Sequence, residues 1–135
     1  MKKFLTSKTS ATGILIILSF ILIFHLLVIS GVIPFNIVWG GNVYDKNRIL
    51  FMETISIAVN LLLLLFVCAY LGIIKIRVNA QAARIGFWVM FILFSLNTLG
   101  NSMSKNPLES YIFTPLTLLL SLFCFRVAAY RANEQ

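Results

Sequence analysis

The sequence has little charge. Charged residues make up 11% of the 135-residue chain, and only four residues are acidic. Soluble domains carry about 25% charged and about 45–50% apolar residues, whereas hydrophobic residues reach 60% here. A soluble domain of this size could not cover so much apolar surface, and a disordered chain is excluded by the same figures. We therefore expect an integral membrane protein.

Residues that bind metals or carry out redox chemistry are equally scarce. The chain has one histidine, His25, and two cysteines, Cys68 and Cys124, each inside an apolar run. There is no Cys-x-x-Cys pair and no cluster of cysteine and histidine. A redox motif and a structural zinc site are therefore excluded, and we predict no cofactor and no metal.

Long apolar runs, by contrast, occupy most of the chain. Each is close to the roughly 20 residues that a helix needs to cross a bilayer core. The runs cover residues 12–32, 49–74, 85–103 and 107–129. Membrane β-strands would instead alternate between apolar and polar residues. The sequence predicts an all-α, four-helix membrane bundle, formed as a single domain by residues 1–135 with an outer loop over 33–48.

The basic residues fall unevenly between the two sides of such a bundle. One side receives eight of them: Lys2, Lys3, Lys8, Lys75, Arg77, Arg84, Arg126 and Arg131. The other side receives three: Lys46, Arg48 and Lys105. Since basic residues concentrate on the cytoplasmic side, this distribution predicts that both termini are cytoplasmic. The net charge of +7 thus indicates orientation, and we predict the bilayer and no nucleic acid as a partner.

The start of the fourth helix carries local signals. Asn106, Pro107 and Glu109 resemble an N-cap, a first-turn proline and the acidic residue of a capping box. Pro115 then lies inside the helix and lacks the N–H that would bond the Tyr111 carbonyl. In a membrane this carbonyl needs another donor.

Polar residues within the spans recur at helical spacing. Residues that are three, four or seven positions apart share one face of a helix. The sets are Glu53, Ser56 and Asn60 on the second helix, Asn97, Asn101 and Ser104 on the third, and Thr114, Thr117 and Ser121 on the fourth. With His25 on the first helix, they predict a polar level in the outer half of the bundle. Hydrogen bonding between packed helices is the alternative explanation.

Glu53 is the most informative of these residues. It is predicted to be the one acidic residue inside the membrane, and ionisable residues there are candidates for function. A structural carboxylate near the interface is the alternative. The predicted ligand-binding residues are Glu53, Asn97, Asn101, His25, Asn60, Ser56 and Thr114, and no catalytic residue is assigned.

Four segments resemble a group of small four-helix integral membrane proteins of bacteria. They are Ile33 to Gly41, Met52 to Ser56, Leu96 to Asn101 and Phe113 to Thr117. The resemblance implies the same fold and a place in the bacterial cytoplasmic membrane. It brings no activity, because that group has no assigned function.

Three functions are compatible with the sequence. The favoured one is non-enzymatic binding or transport of a small cation, an amine or a lipid-like ligand in a polar pocket centred on Glu53. Transport would require further copies of the chain, since four short helices leave little room for a pathway. The first alternative is an accessory or scaffold subunit of a larger membrane complex, which pairs with another membrane protein. The second is a lipid-modifying enzyme in which Glu53 and His25 act as an acid–base pair.

Overall fold

The computed structural model describes residues 6–38 and 45–129, and these contain helices and no strand. The four long helices are α1 (Ser7–Ile29), α2 (Lys46–Tyr70), α3 (Ala80–Ser102) and α4 (Thr114–Ala129). The segment Glu109–Phe113 forms a wide π-turn that leads directly into α4, and Phe35–Ile37 forms a short 3-10 turn. The prediction of an all-α chain with four helices long and apolar enough to cross a membrane is confirmed. The predictions for Lys2, Lys3, Arg131 and part of the Ile33–Gly41 segment fall outside the described residues.

Capping side chains set the starts of the first three helices. The side chain of Thr6 accepts the Thr9 N–H at 3.1 Å, that of Asp45 accepts the Asn47 N–H at 3.0 Å, and that of Asn79 accepts the Ala82 N–H at 2.7 Å. Such caps satisfy backbone donors that the first turn cannot bond. All three helices begin several residues before the apolar runs, because caps rather than hydrophobicity fix where a helix starts.

Glycines set the ends of α1 and α2. Gly31 has φ = +84° and Gly72 has φ = +75°, the left-handed conformation that stops a helix and that glycine adopts without strain. The apolar runs continue past both glycines, so hydrophobicity alone extends these helices too far. Because α1 ends at Ile29, His25 lies only four residues, or about 6 Å along the axis, from the end of the helix.

The helices form an antiparallel bundle in which α1 packs against α2 and α4, and α3 packs against α4. We call the end that contains the start of α1 the basal end and the opposite end the apical end. At the basal end the Ser7 and Tyr70 hydroxyls lie 2.5 Å apart, which joins α1 to α2. At the apical end the Asn106 side chain donates to the Ile37 carbonyl.

The apolar core fills the basal half. Its fully buried members come from all four helices, and they include Ile14, Leu18, Val67, Phe87, Met90, Leu120 and Cys124. The rings of Phe66 and Tyr70 on α2 pack against Phe87 on α3, with centroids 5.2 and 4.9 Å apart. Large apolar side chains also cover the outer surface of every helix, as expected where the solvent is hydrocarbon.

Two glycines allow the helices to approach closely in this half. A β-carbon at Gly13 would lie 2.6 Å from Phe123 Cε2, and one at Gly86 would overlap Phe66 Cζ. The phenylalanine rings therefore occupy the space that a side chain would need. Gly100, on the apical part of α3, has no such neighbour within 4 Å.

We expect Gly86→Ala to lower the free energy of unfolding by about 1–2 kcal/mol relative to Gly100→Ala. An added methyl group in a packed core costs about 1–3 kcal/mol, part of which the higher helix propensity of alanine offsets in both variants. Reversible unfolding in mixed micelles, followed by circular dichroism, measures the difference. Equal stability of the two variants would contradict the close packing of Gly86 on Phe66.

Candidate functional site

A cavity of about 330 Å³ lies between the four helices in the apical half of the bundle. This volume is at the lower end of the range for small-molecule sites, about 300–1,000 Å³. Its polar lining residues are His25, Glu53, Ser56, Asn60, Asn97, Asn101, Glu109 and Thr117. Six of the seven predicted ligand-binding residues are thus brought together, and Thr114 is the one that does not line the cavity.

The floor of the cavity is apolar. Ile21, Leu63 and Phe94 line it and also belong to, or pack against, the apolar core. The described part of the bundle therefore has a polar, hollow apical half above a filled basal half. Phe24, Val59, Leu93 and Phe113 add further apolar wall around the polar groups.

Glu53 and His25 meet across α1 and α2. His25 Nδ1 lies 2.7 Å from Glu53 Oε2. Glu53 is 1% exposed, whereas the His25 side chain is 18% exposed, so the imidazole lies between the carboxylate and the more open part of the site. The hydrogen bond favours the tautomer with its proton on Nδ1, which leaves Nε2 as an acceptor when the imidazole is neutral.

Asn60 is buried in the same cavity. It is 6% exposed, and its Oδ1 has no hydrogen-bond partner among the described residues. A buried polar atom without a partner costs about 1–3 kcal/mol, so such atoms call for an explanation. Asn60 follows Glu53 by seven positions on the same helix face, which places it about 10 Å closer to the basal end.

The polar residues of α3 line the opposite wall. Asn101 Nδ2 donates to Thr117 Oγ1 at 3.5 Å, and Thr98 Oγ1 donates to the same hydroxyl at 3.0 Å. Asn97 lines the cavity and is exposed, so it lies where the cavity opens to the exterior of the bundle. Here the hydroxyl-rich face of α4 serves helix packing as well as the cavity. The 2.8 Å contact between the Ser95 and Ser121 hydroxyls serves packing too.

The π-turn explains the placement of Thr114. The Thr114 N–H donates to the Glu109 carbonyl five residues earlier, and its hydroxyl donates to the same oxygen at 3.3 Å. The wide turn ends at Phe113, two residues before Pro115, which lacks the N–H that would bond the Tyr111 carbonyl. Such turns are frequent at functional sites. That Thr114 contacts a ligand stays a prediction, since its hydroxyl here closes the turn.

Glu109 lines the cavity, although its sequence context indicates only a helix cap. Asn106 does cap the helix start, because its Oδ1 accepts the Leu108 N–H at 3.0 Å. The Asn106 N–H, however, donates to Ser104 Oγ at 3.1 Å, and that hydroxyl donates to Glu109 Oε2 at 2.5 Å. Glu109 also lines the cavity, so Glu53 is not the one acidic residue at this level. The sequence carries no signal that separates this role from capping, because the π-turn forms only in the packed helix.

No protein-family model, no curated protein and no solved structure is detectably similar to the chain. Within residues 6–38 and 45–129, no three side chains of the His, Cys, Asp and Glu types come together as a metal site would require. The chemistry of the cavity therefore has to be argued from its own residues.

We expect His25→Leu to lower the free energy of unfolding by about 3–5 kcal/mol, because it leaves the buried Glu53 carboxylate without its imidazole partner. The double variant His25→Leu/Glu53→Met removes both groups and is expected to recover most of this loss. Unfolding of the three proteins in the same micelles measures the coupling. A double variant less stable than the single one would contradict this account of the pair.

Proposed function

We propose that the chain is an integral membrane protein that binds a small amphipathic amine in the apical cavity. The observation that carries the proposal is the buried Glu53 carboxylate, paired with His25 at the edge of that cavity. With a neutral imidazole the pair carries one negative charge. A ligand ammonium compensates this charge in a medium where an uncompensated one is costly.

The walls of the cavity suit the rest of such a ligand. Apolar residues surround the polar groups, and a mixture of apolar wall and few polar groups is typical of small-molecule sites. At about 30 Å³ for each water molecule, the cavity corresponds to about eleven waters. This volume fits an amine on a short alkyl or aromatic body and is too small for a whole phospholipid.

The apolar floor favours binding over conduction. The filled basal half leaves no polar path along the described part of the bundle between the cavity and the basal end. Transport would require the basal ends of the helices to separate, or further copies of the chain to supply a path. We therefore propose binding, without conduction through a single copy of the chain.

We also propose that the protein lies in the cell membrane with its basal end in the cytoplasm. Among the described residues, Lys8, Lys75, Arg77, Arg84 and Arg126 belong to the basal half, and Lys46, Arg48 and Lys105 to the apical half. Outside the described residues, the sequence has three further basic residues, Lys2, Lys3 and Arg131, which precede α1 or follow α4. In this orientation the cavity faces the outside of the cell.

We expect octylamine to bind the purified protein, and Glu53→Gln to weaken this binding by at least tenfold. The substitution keeps the size of the side chain and removes its charge, which supplies the attraction for ammonium. Isothermal titration in detergent micelles, with octanol and octanoate as the neutral and anionic comparisons, measures the preference.

Asp45→Asn is the matched control for this experiment. It removes the same charge from an exposed residue outside the cavity, and asparagine is an equally good helix cap. We expect it to bind octylamine like the wild type. Equal octylamine affinity in wild type and Glu53→Gln, or equal binding of octanol and octylamine, would contradict the proposed function.

Orientation is tested with single added cysteines. Asn36→Cys lies in the apical segment and Ile76→Cys in the basal loop, and both positions are exposed. We expect a membrane-impermeant maleimide to label Asn36→Cys in intact cells and Ile76→Cys only after permeabilisation. The unsubstituted chain controls for Cys68 and Cys124. The reverse labelling pattern would contradict the proposed orientation.

An enzyme is the second candidate, and the His25–Glu53 contact is the observation that favours it. A carboxylate bonded to Nδ1 orients an imidazole so that Nε2 can act as a general base. Hydrolysis of p-nitrophenyl butyrate by the purified protein, lost in His25→Gln with the fold intact, would support this candidate. Equal rates with and without His25 would dismiss it for ester hydrolysis.

A further inference from the structure

Asn60 is the polar group of the cavity that the amine site does not use. Asn60 is only 6% exposed and lines the cavity. Its Oδ1 has no hydrogen-bond partner among the described residues. Helix packing gives such a group a partner on a neighbouring helix. Here none of the described residues provides one, and the group faces a hollow space instead.

The position of Asn60 relative to Glu53 determines the length of a ligand that could bond both side chains. The two residues are seven positions apart on one face of α2, which separates them by about 10 Å along the helix axis. Ser56 and Val59 lie between them in sequence and also line the cavity, as do Leu63 and Phe94 around Asn60. The carboxylate thus lies towards one end of the cavity and the carboxamide towards its apolar floor.

A second ammonium would be poorly accommodated at the floor. Asn60 is neutral, and the residues around it are apolar, so a full charge there would be buried without a counter-charge. A neutral donor such as a hydroxyl group loses much less on leaving water and can bond Oδ1. The geometry therefore selects a charged group at one end and a neutral polar group at the other.

We infer that the ligand class is an elongated amino alcohol, with its ammonium at Glu53 and its hydroxyl at Asn60. This inference rests on the proposed function, because it uses the same cavity and the same carboxylate. It adds Asn60 as a specificity-determining residue. The apolar chain of the ligand lies between the two polar groups, along Val59 and the facing wall of α3.

The distance between the two residues predicts the length of the ligand. Both residues lie on one face of α2, so hydrogen bonds of about 2.8 Å to a ligand beside that face run across the helix axis. They leave most of the 10 Å separation for the ligand itself to bridge. A chain of intermediate length fits, so aminohexanol is the principal probe, with aminobutanol and aminooctanol as the shorter and longer members. Each amino alcohol is compared with the alkylamine of equal chain length.

We expect wild-type protein to bind aminohexanol about fivefold more tightly than hexylamine, which is the usual net effect of one buried hydrogen bond. In Asn60→Leu the order should reverse, because the hydroxyl then lies in an apolar site without a partner. Isothermal titration at neutral pH measures both ligands. Asn47→Leu, an exposed position on the same helix and outside the cavity, is the matched control and should keep the wild-type order.

Asn60→Gln provides an independent test that keeps the carboxamide and thus the polarity of the floor. Its longer side chain brings the carboxamide closer to Glu53, so the preferred amino alcohol should become shorter, from aminohexanol towards aminobutanol. A shift in this direction supports a direct bond between ligand and carboxamide. No shift, in a variant that is monodisperse and fully helical, overturns it.

The outcomes separate this inference from the proposed function. If hexylamine binds in a Glu53-dependent manner and aminohexanol has no advantage, the amino alcohol inference is overturned and the amine site stands. If the order persists in Asn60→Leu, the inference is also overturned. If neither amine binds the wild type, both the proposed function and the inference fail together.

Discussion

The contact between His25 and Glu53 is the interaction on which the apical half depends. It joins α1 to α2 where the apolar core no longer does, and it holds a carboxylate that is 1% exposed among helices apolar enough to cross a membrane. Such a pair contributes little net stability, because the loss of hydration offsets the attraction between the partners. Its effect is to hold a charged group beside an empty space.

The two halves of the bundle divide the requirements of stability and binding. In the basal half, glycines meet phenylalanine rings and the core is filled, so this half keeps the helices together. In the apical half, polar residues from all four helices surround a volume that side chains leave open. The π-turn before Pro115 belongs to this half as well, and it places Glu109 at the cavity. Irregular backbone at this depth is tolerated where it lines a cavity rather than lipid.

Much of this arrangement could be predicted from the sequence. Four apolar runs and the spacing of Glu53, Ser56 and Asn60 indicate the helices and the polar faces, since both follow from helical periodicity alone. The ends of α1 and α2 cannot be predicted from hydrophobicity, because Gly31 and Gly72 stop these helices inside apolar runs. Glu109 was missed because a residue at a helix start serves equally well as a cap or as a cavity group. That choice depends on the π-turn, which is a property of the packed helix.

The aromatic contact between α2 and α3 has a mechanical consequence. Phe66 and Tyr70 rest on Phe87 near the basal end, whereas Ser56 and Asn97 line the cavity towards the apical end. From Phe66 to Ser56 the helix rises about 15 Å. A tilt of α2 about the ring contact therefore moves the part of the helix that borders the cavity more than the part at the rings. A small change of tilt at the rings becomes a larger displacement at the mouth. The separation of α2 and α3 at the cavity therefore depends in part on rings that do not line it.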